Sequence, residues 1–262
     1  MFPGFVYSAP VDTLTSGEAH LWHLCIKDVL RTQSISNLCN LLSENEKSRA
    51  AAYRSDSRRQ LFIIGRAGLR IILSALMAGI PPQSIRFTTG AQGKPMLEDD
   101  ACPLQFNLSH SHDAIVIGVT RGQTVGVDIE SMKARPRMAD IAQHYFHSQE
   151  SQVITQALDA DDNLGALRQF YKVWTLKEAF IKADGKGMAI PGDSFYFTHI
   201  DTSTPCIELT DSAPDAASNW FFTHQFVDAS YSVALALGVS DSKDPMTVIK
   251  RQLSFKQTGW CS

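Results

Sequence analysis

Three carboxylates and a lysine fall within two short runs of this chain, Gly126-Val127-Asp128-Ile129-Glu130 and Trp174-Thr175-Leu176-Lys177-Glu178-Ala179-Phe180-Ile181-Lys182. On an extended segment alternate side chains share a face, so Asp128 and Glu130 point one way and Val127 and Ile129 the other. On a helix, residues four apart stack, so Trp174, Glu178 and Lys182 form one stripe. Hard oxygen ligands beside a lysine suit Mg²⁺ held against a phosphate. Each run also has a plainer reading: a wet strand edge for the first, and for the second a surface ion pair worth roughly a few tenths of a kcal/mol. The apolar neighbours of both runs argue for enclosure. Two enclosed carboxylates need a cation to offset desolvation and mutual repulsion.

The elements that must position these groups can be read from periodicity and caps. Alternation from His20 to Ile26 marks a first strand, and Ser43-Glu44-Asn45-Glu46 is a capping box opening a helix toward Tyr53. Leu61, Ile64, Leu69, Ile72, Leu73 and Leu76 recur at helical spacing from about Asp56 to Gly79, and Pro81 and Pro82 end that helix. A strand near Ile85 to Thr88, a turn at Gly90 to Pro95, and strands at Gln105–Ser109, Ala114–Thr120 and Thr124–Ile129 follow. Helices are then expected near Met138–Tyr145, Ser148–Leu158 and Asn163–Ala183, the last stopped at Gly185-Lys186-Gly187. Strands are expected at Ser194–Thr198, Ile207–Leu209, Trp220–Phe226 and Tyr231–Leu237.

An internal match supports a repeated plan. The segment Ile80 to Thr88 aligns without gaps on Ile190 to Thr198, with five identities, and each copy follows a long helix and leads into a strand. The expected architecture is therefore α+β, in two similar halves facing each other, with a ligand cleft between them. The boundaries expected are 1–125 for the first half, 126–240 for the second with the acidic residues, and a peripheral tail at 241–262.

Other candidates are weaker. Lys94, in Gly93-Lys94-Pro95, reads as a solvated turn charge, and Ser109-His110-Ser111-His112 lacks the companion motifs of a catalytic triad or a zinc site, so phosphate or nucleotide binding suits it better. Arg54, Arg58, Arg59 and Arg66 decorate a helix start and form either a solvated face or a grip for a phosphomonoester. The five cysteines, Cys25, Cys39, Cys102, Cys206 and Cys261, are scattered, odd in number and without a CxxC pair, which signals neither zinc nor a disulfide framework.

Over 262 residues, 24 Lys+Arg stand against 27 Asp+Glu, which argues against bulk attraction to nucleic acid or to an anionic membrane. The N-terminus lacks a signal-peptide pattern and no apolar run reaches membrane-spanning length, so a soluble cytoplasmic protein is expected.

Taken in order, Gly93-Lys94-Pro95, Phe106 through Ser111, Gly126 through Glu130, and Trp174 through Lys182 with Gly185-Lys186-Gly187 resemble the surfactin-type family of 4′-phosphopantetheinyl transferases. The ordered set is specific although its pieces are not, and it spans roughly Arg54 to Phe197. The resemblance implies the fold of that family, two α+β halves related by a pseudo-two-fold axis and acting as one monomer. It implies transfer of the phosphopantetheine arm of coenzyme A to a serine of an apo acyl, peptidyl or polyketide carrier protein, releasing adenosine 3′,5′-bisphosphate, in fatty-acid, polyketide or nonribosomal peptide biosynthesis.

By the same resemblance Asp128, Glu130 and Glu178 hold Mg²⁺, with Mn²⁺ as an alternative. Glu178 is a candidate base for the carrier serine and Lys182 stabilises the departing charge. Lys94, Ser109, His110, Lys182 and the basic residues Arg54 and Arg59 contact coenzyme A. Glu150 matches a carboxylate important in relatives, and the carrier is expected to dock near Met138 to Ile154. Two other readings share the acidic cluster, a metal-dependent nuclease and a carrier-binding scaffold without chemistry; overall charge speaks against the first and the complete set of carboxylates and lysine against the second.

Overall fold

The computed structural model describes residues 6–7, 14–90, 92–185, 190–202, 204–210, 219–239, 246–253 and 255–256. After a short strand β1 (Val6–Tyr7), one order of elements occurs twice. In its first occurrence β2 (Glu18–Cys25) leads through helices α1 (Ile26–Thr32), α2 (Ile35–Cys39) and α3 (Glu44–Ala51) to the long α4 (Asp56–Leu76). A hairpin of β3 (Phe87–Thr89) and β4 (Pro95–Leu97) and two long strands, β5 (Leu104–Ser111) and β6 (Ala114–Arg121), complete it.

In the second occurrence β7 (Val125–Ser131) leads through α5 (Met138–Tyr145) and α6 (Ser148–Asp159) to the long α7 (Asn163–Asp184). The hairpin of β8 (Phe195–Thr198) and β9 (Cys206–Leu209) and the strands β10 (Trp220–Val227) and β11 (Tyr231–Gly238) follow. The pairing repeats too, since the first strand of each unit lies antiparallel to the last, and the last to the one before it: β2-β6-β5 and β7-β11-β10. The chain is an α+β protein.

Side-chain alternation stacks these units in layers. Ile115, Ile117 and Val119 of β6 turn to Ile64, Ile72 and Leu73 of α4, whereas Val116 turns to Val127, Ile129 and Leu235 of the second sheet. On the far face of that sheet Ala234 and Ala236 receive Leu176, Ala179 and Phe180 of α7. The order is helix, sheet, sheet, helix. Within it Val127 and Ile129 face the sheet-sheet core, which leaves Gly126, Asp128 and Glu130 on the side of α7.

The match between Ile80 and Ile190 has a physical cause. Arg70, 1% exposed on α4, donates to Glu46 Oε2 at 2.7 Å, to the Ile85 carbonyl at 3.0 Å and to the Pro82 carbonyl. Lys177 on α7 donates to Glu150 Oε2 at 2.8 Å, to the Gly192 carbonyl at 2.7 Å and to the Phe195 carbonyl at 2.6 Å. Pro82 and Ile85 align with Gly192 and Phe195, and both glutamates occupy the third position of a capped helix start, behind Ser43 and His147. The same staple is thus built twice: a long-helix cation joins a capping-box carboxylate to the carbonyls of the Ile-Pro turn. Glu150 also accepts the Phe197 amide at 3.0 Å and the His147 amide at 3.1 Å, so both of its oxygens are engaged in the staple.

Two expectations change, and one unassigned stretch is filled. Residues 26–39 hold two helices too short to show periodicity. The long helix expected to reach Gly79 ends at Leu76, because Ala78 and Gly79 take positive φ of 54° and 81°. The tail is not peripheral: β12 (Thr247–Gln252) pairs in parallel with β2, Leu253 enters the α4 core, and β13 (Phe255–Lys256) pairs with β1. Lys186, Gly187 and Cys261 lie outside the described residues.

Candidate active site

The helix that carries Glu178 is buried along much of its second half, and among its half-exposed residues Trp174, Glu178 and Lys182 recur every four positions. This stripe looks out over β7. Gly126 permits the approach: a Cβ there would fall 2.0 Å from the Ala179 carbonyl oxygen and 2.4 Å from the Ala183 nitrogen. The glycine at the head of the Gly-Val-Asp-Ile-Glu run is therefore set by backbone contact with α7, and the helix lies directly over the two carboxylates.

Lys182 Nζ stands 2.6 Å from Asp128 Oδ1 and donates to Ser109 Oγ at 3.2 Å, while Ser109 donates to the same Asp128 oxygen at 2.9 Å. The other oxygen, Asp128 Oδ2, is buried with no hydrogen-bond partner among the described residues. Ser111 Oγ donates to Glu130 Oε2 at 3.0 Å and accepts the Ser131 amide, and Asn107 Oδ1 accepts the Val127 amide at 2.9 Å. Asn107, Ser109 and Ser111 alternate along β5, so one polar face of that strand clasps β7.

The electrostatics reflect a cluster short of positive charge. Burial, followed by the Asp128 charge, raises the Glu130 pKa. Burial raises that of Glu178 also; Lys182 lowers it in part and Asp128 adds to the rise. Among the described residues no three His, Cys, Asp or Glu side chains form a closed metal-ligating group. Lys182 instead occupies the Asp128 oxygen that such a group would share. The unpartnered Asp128 Oδ2 and the two carboxylates of raised pKa nonetheless fit a hard divalent cation, which needs oxygen donors and relieves their repulsion.

Beside this cluster opens a cavity of about 1180 Å³, roomy enough for a nucleotide, lined by Arg49, Arg58, Arg66, Tyr53, Phe87 and His110 among others. Arg66 lies over the Phe87 ring at 4.6 Å and is held by Glu46 Oε1 at 2.7 Å. His110 belongs to both regions, because it lines the cavity while its pKa, lowered mainly by burial, also feels Lys182 and Asp128.

Several expected contacts lie elsewhere. Arg54 is exposed, Arg59 bonds Asp56 three residues back, and neither is among the residues that line the cavity. Arg49, on the preceding helix, takes their place along with Arg58 and Arg66, since packing of α3 against α4 brings residues of both to one rim. Ser109 faces β7, opposite to its neighbour His110. Lys94 is neither solvated nor turned to the cavity; its ammonium donates to the carbonyls of Lys182, Val125 and Ala183. Arg135 was not singled out by spacing, yet it bonds the Tyr171 hydroxyl at 3.0 Å, lies 5.6 Å from the Trp174 ring and lowers the Glu130 pKa in part.

Residues 31–121 match the family model "4′-phosphopantetheinyl transferase, N-terminal", and residues 124–236 match that of the 4′-phosphopantetheinyl transferase superfamily. The 4′-phosphopantetheinyl transferase Sfp of Bacillus subtilis (strain 168) is 31% identical over 208 residues, 79% of this chain and 85% of the relative. The chain belongs to the 4′-phosphopantetheinyl transferase superfamily. HetI of Nostoc sp., also a 4′-phosphopantetheinyl transferase, is 32% identical over 68% of this chain and 73% of its own length. A putative 4′-phosphopantetheinyl transferase of Synechocystis sp., slr0495, is 36% identical, but the alignment spans 59% of that relative. The boundary between the two family models falls between β6 and β7, where this transferase begins its second run of elements. No helix among its described residues is long and apolar enough to cross a membrane.

Proposed function

We propose that this phosphopantetheinyl transferase moves the phosphopantetheine arm of coenzyme A onto a serine hydroxyl of an apo carrier protein and releases adenosine 3′,5′-bisphosphate. The observation that carries the reading is the junction of a basic, nucleotide-sized cavity with an acidic cluster, shared at His110. Arg49, Arg58 and Arg66 at the cavity rim suit the 3′-phosphate and adenosine, and His110 at the inner end suits the phosphates nearest the chemistry.

Asp128, Glu130 and Glu178 would hold Mg²⁺, or Mn²⁺ in its place, which when bound neutralises charge on the pyrophosphate. The remaining work falls to the chain's own groups. Glu178, whose carboxylate pKa is raised by burial, takes the proton of the carrier serine directly or through water as that oxygen bonds the phosphorus bearing the pantetheine arm. The bond from this phosphorus to the bridging oxygen breaks, and the electron pair leaves with adenosine 3′,5′-bisphosphate. Lys182 stabilises the charge that develops there. Tyr145, 54% exposed on α5 beside Trp174, and Val153, 48% exposed on α6, offer apolar surface for the carrier.

The reading is tested by chromatography of coenzyme A incubated with Mg²⁺ and an apo carrier. Adenosine 3′,5′-bisphosphate should appear with the carrier and not with its serine-to-alanine variant. Equal release with both, or none across fatty-acid, polyketide and peptide carriers, would overturn it.

A further inference from the structure

Lys94 sits between two residues of the cavity rim but points away from the cavity. Gly93, at φ 82°, and Pro95 both line the cavity, and the turn they form is closed by the Gly90 amide on the Lys94 carbonyl at 2.9 Å. The Lys94 side chain runs to the far end of α7, where Nζ lies 2.7 Å from the Lys182 carbonyl, 3.4 Å from that of Ala183 and 3.0 Å from that of Val125. An ammonium has three donors, and here each has an acceptor.

These acceptors need a donor. The last four carbonyls of a helix have no partner within it, and the left-handed Gly185 turns the chain so that its amide reaches only the Ile181 carbonyl. Lys94 supplies donors for the next two carbonyls and places a cation at the negative end of the helix dipole. Its third acceptor, Val125, begins β7 and precedes Gly126, on which α7 rests. One nitrogen therefore joins the cavity-rim turn, the start of the acidic strand and the last turn of α7. The residue whose carbonyl it holds most closely, Lys182, is also the residue whose side chain meets Asp128 at 2.6 Å.

We propose that Lys94 is a positioning residue of the transfer reaction: it fixes the last turn of α7 over β7 and so holds Lys182 and Glu178 against Asp128, and it makes no contact with the nucleotide. The proposal rests on the transfer function above. A nucleotide contact would require the ammonium to abandon carbonyls for which it is the donor in this half-buried place, which costs about the desolvation of each.

The test compares wild type with Lys94→Met and Lys94→Gln by three readouts: coenzyme A binding by calorimetry, steady-state transfer, and amide hydrogen exchange of the segment 179–185. For Lys94→Met, coenzyme A affinity and KM should stay within about threefold while kcat falls about tenfold or more. Exchange in 179–185 should quicken with that in α4 unchanged. Lys94→Gln, which keeps two donors, should fall between the two and serves in place of Lys94→Met if the latter does not fold. A KM increase of about tenfold with kcat retained would make Lys94 a nucleotide contact and overturn the proposal. Unchanged exchange in 179–185, or quickened exchange with kcat intact, would overturn it also. A wild-type protein that transfers nothing would defeat the proposed function, and the exchange readout would still decide whether Lys94 holds α7.

Discussion

Gly126 and Ala179 touch backbone to backbone, so closely that a Cβ on Gly126 would lie 2.0 Å from the Ala179 carbonyl oxygen. Neither partner is a flexible side chain, so Gly126→Ala must push α7 off β7. Unfolding in urea should show a loss of about 3 kcal/mol or more, and transfer should be abolished in the fraction that folds. A variant with wild-type stability and rate would show that the two elements separate at little cost.

Asp128 is 3% exposed, has one oxygen shared by Lys182 and Ser109, and has the other unpartnered. Asp128→Asn keeps the shape and removes the charge. Transfer should fall at least about 100-fold, with the melting temperature within a few degrees of wild type. Calorimetric titration with Mg²⁺ should lose its signal; retention of wild-type Mg²⁺ binding would remove Asp128 from the metal set.

Glu130 and Glu178 have pKa values raised above the ordinary 4.5 by burial and by Asp128. The folded state therefore binds more protons than the unfolded state in the range between 4.5 and the raised values, and stability falls as pH rises through it. The destabilisation is absent below the unfolded pKa and complete once both folded groups are ionised. Urea unfolding in chelator from pH 4.5 to 8 should show this decline, and Glu178→Gln should flatten it. Mg²⁺ should raise stability more at pH 8 than at pH 5, because the ligands must be ionised to bind it.

The repeated staple predicts unequal consequences in the two units. Glu150→Ala strands the Lys177 ammonium, 5% exposed, and should cost about 3–5 kcal/mol, whereas Glu150→Met with Lys177→Met should recover much of that. Glu46→Ala strands Arg70 in the same way and in addition releases Arg66. Only Glu46→Ala should therefore raise KM for coenzyme A and narrow its advantage over 3′-dephospho-coenzyme A. An unchanged ratio between the two substrates would take Arg66 away from the 3′-phosphate.

What could be read in the sequence follows from the range of the forces involved. Alternation placed Asp128 and Glu130 opposite Val127 and Ile129, and the four-residue step placed Trp174, Glu178 and Lys182 together, because both are fixed by backbone geometry within one element. The direction of the Lys94 side chain was not legible because a turn residue has no period to give it; its partners lie 31, 88 and 89 residues away. Arg59 looked equivalent to Arg58, yet it bonds Asp56 and does not line the cavity, and Arg49 reaches the cavity through the packing of α3 on α4. The strand at Thr247–Gln252 pairs with one more than 220 positions earlier, a contact that no local pattern announces. Ser111 could have been found, since Asn107, Ser109 and Ser111 already alternate.

The central claim is tested most directly by the intact mass of a carrier protein. Purified protein, coenzyme A, Mg²⁺ and an apo carrier should yield a carrier heavier by one phosphopantetheine group, with the added mass on its serine and absent in chelator. A carrier of unchanged mass across fatty-acid, polyketide and peptide types, with the enzyme folded and Mg²⁺ present, would contradict the account.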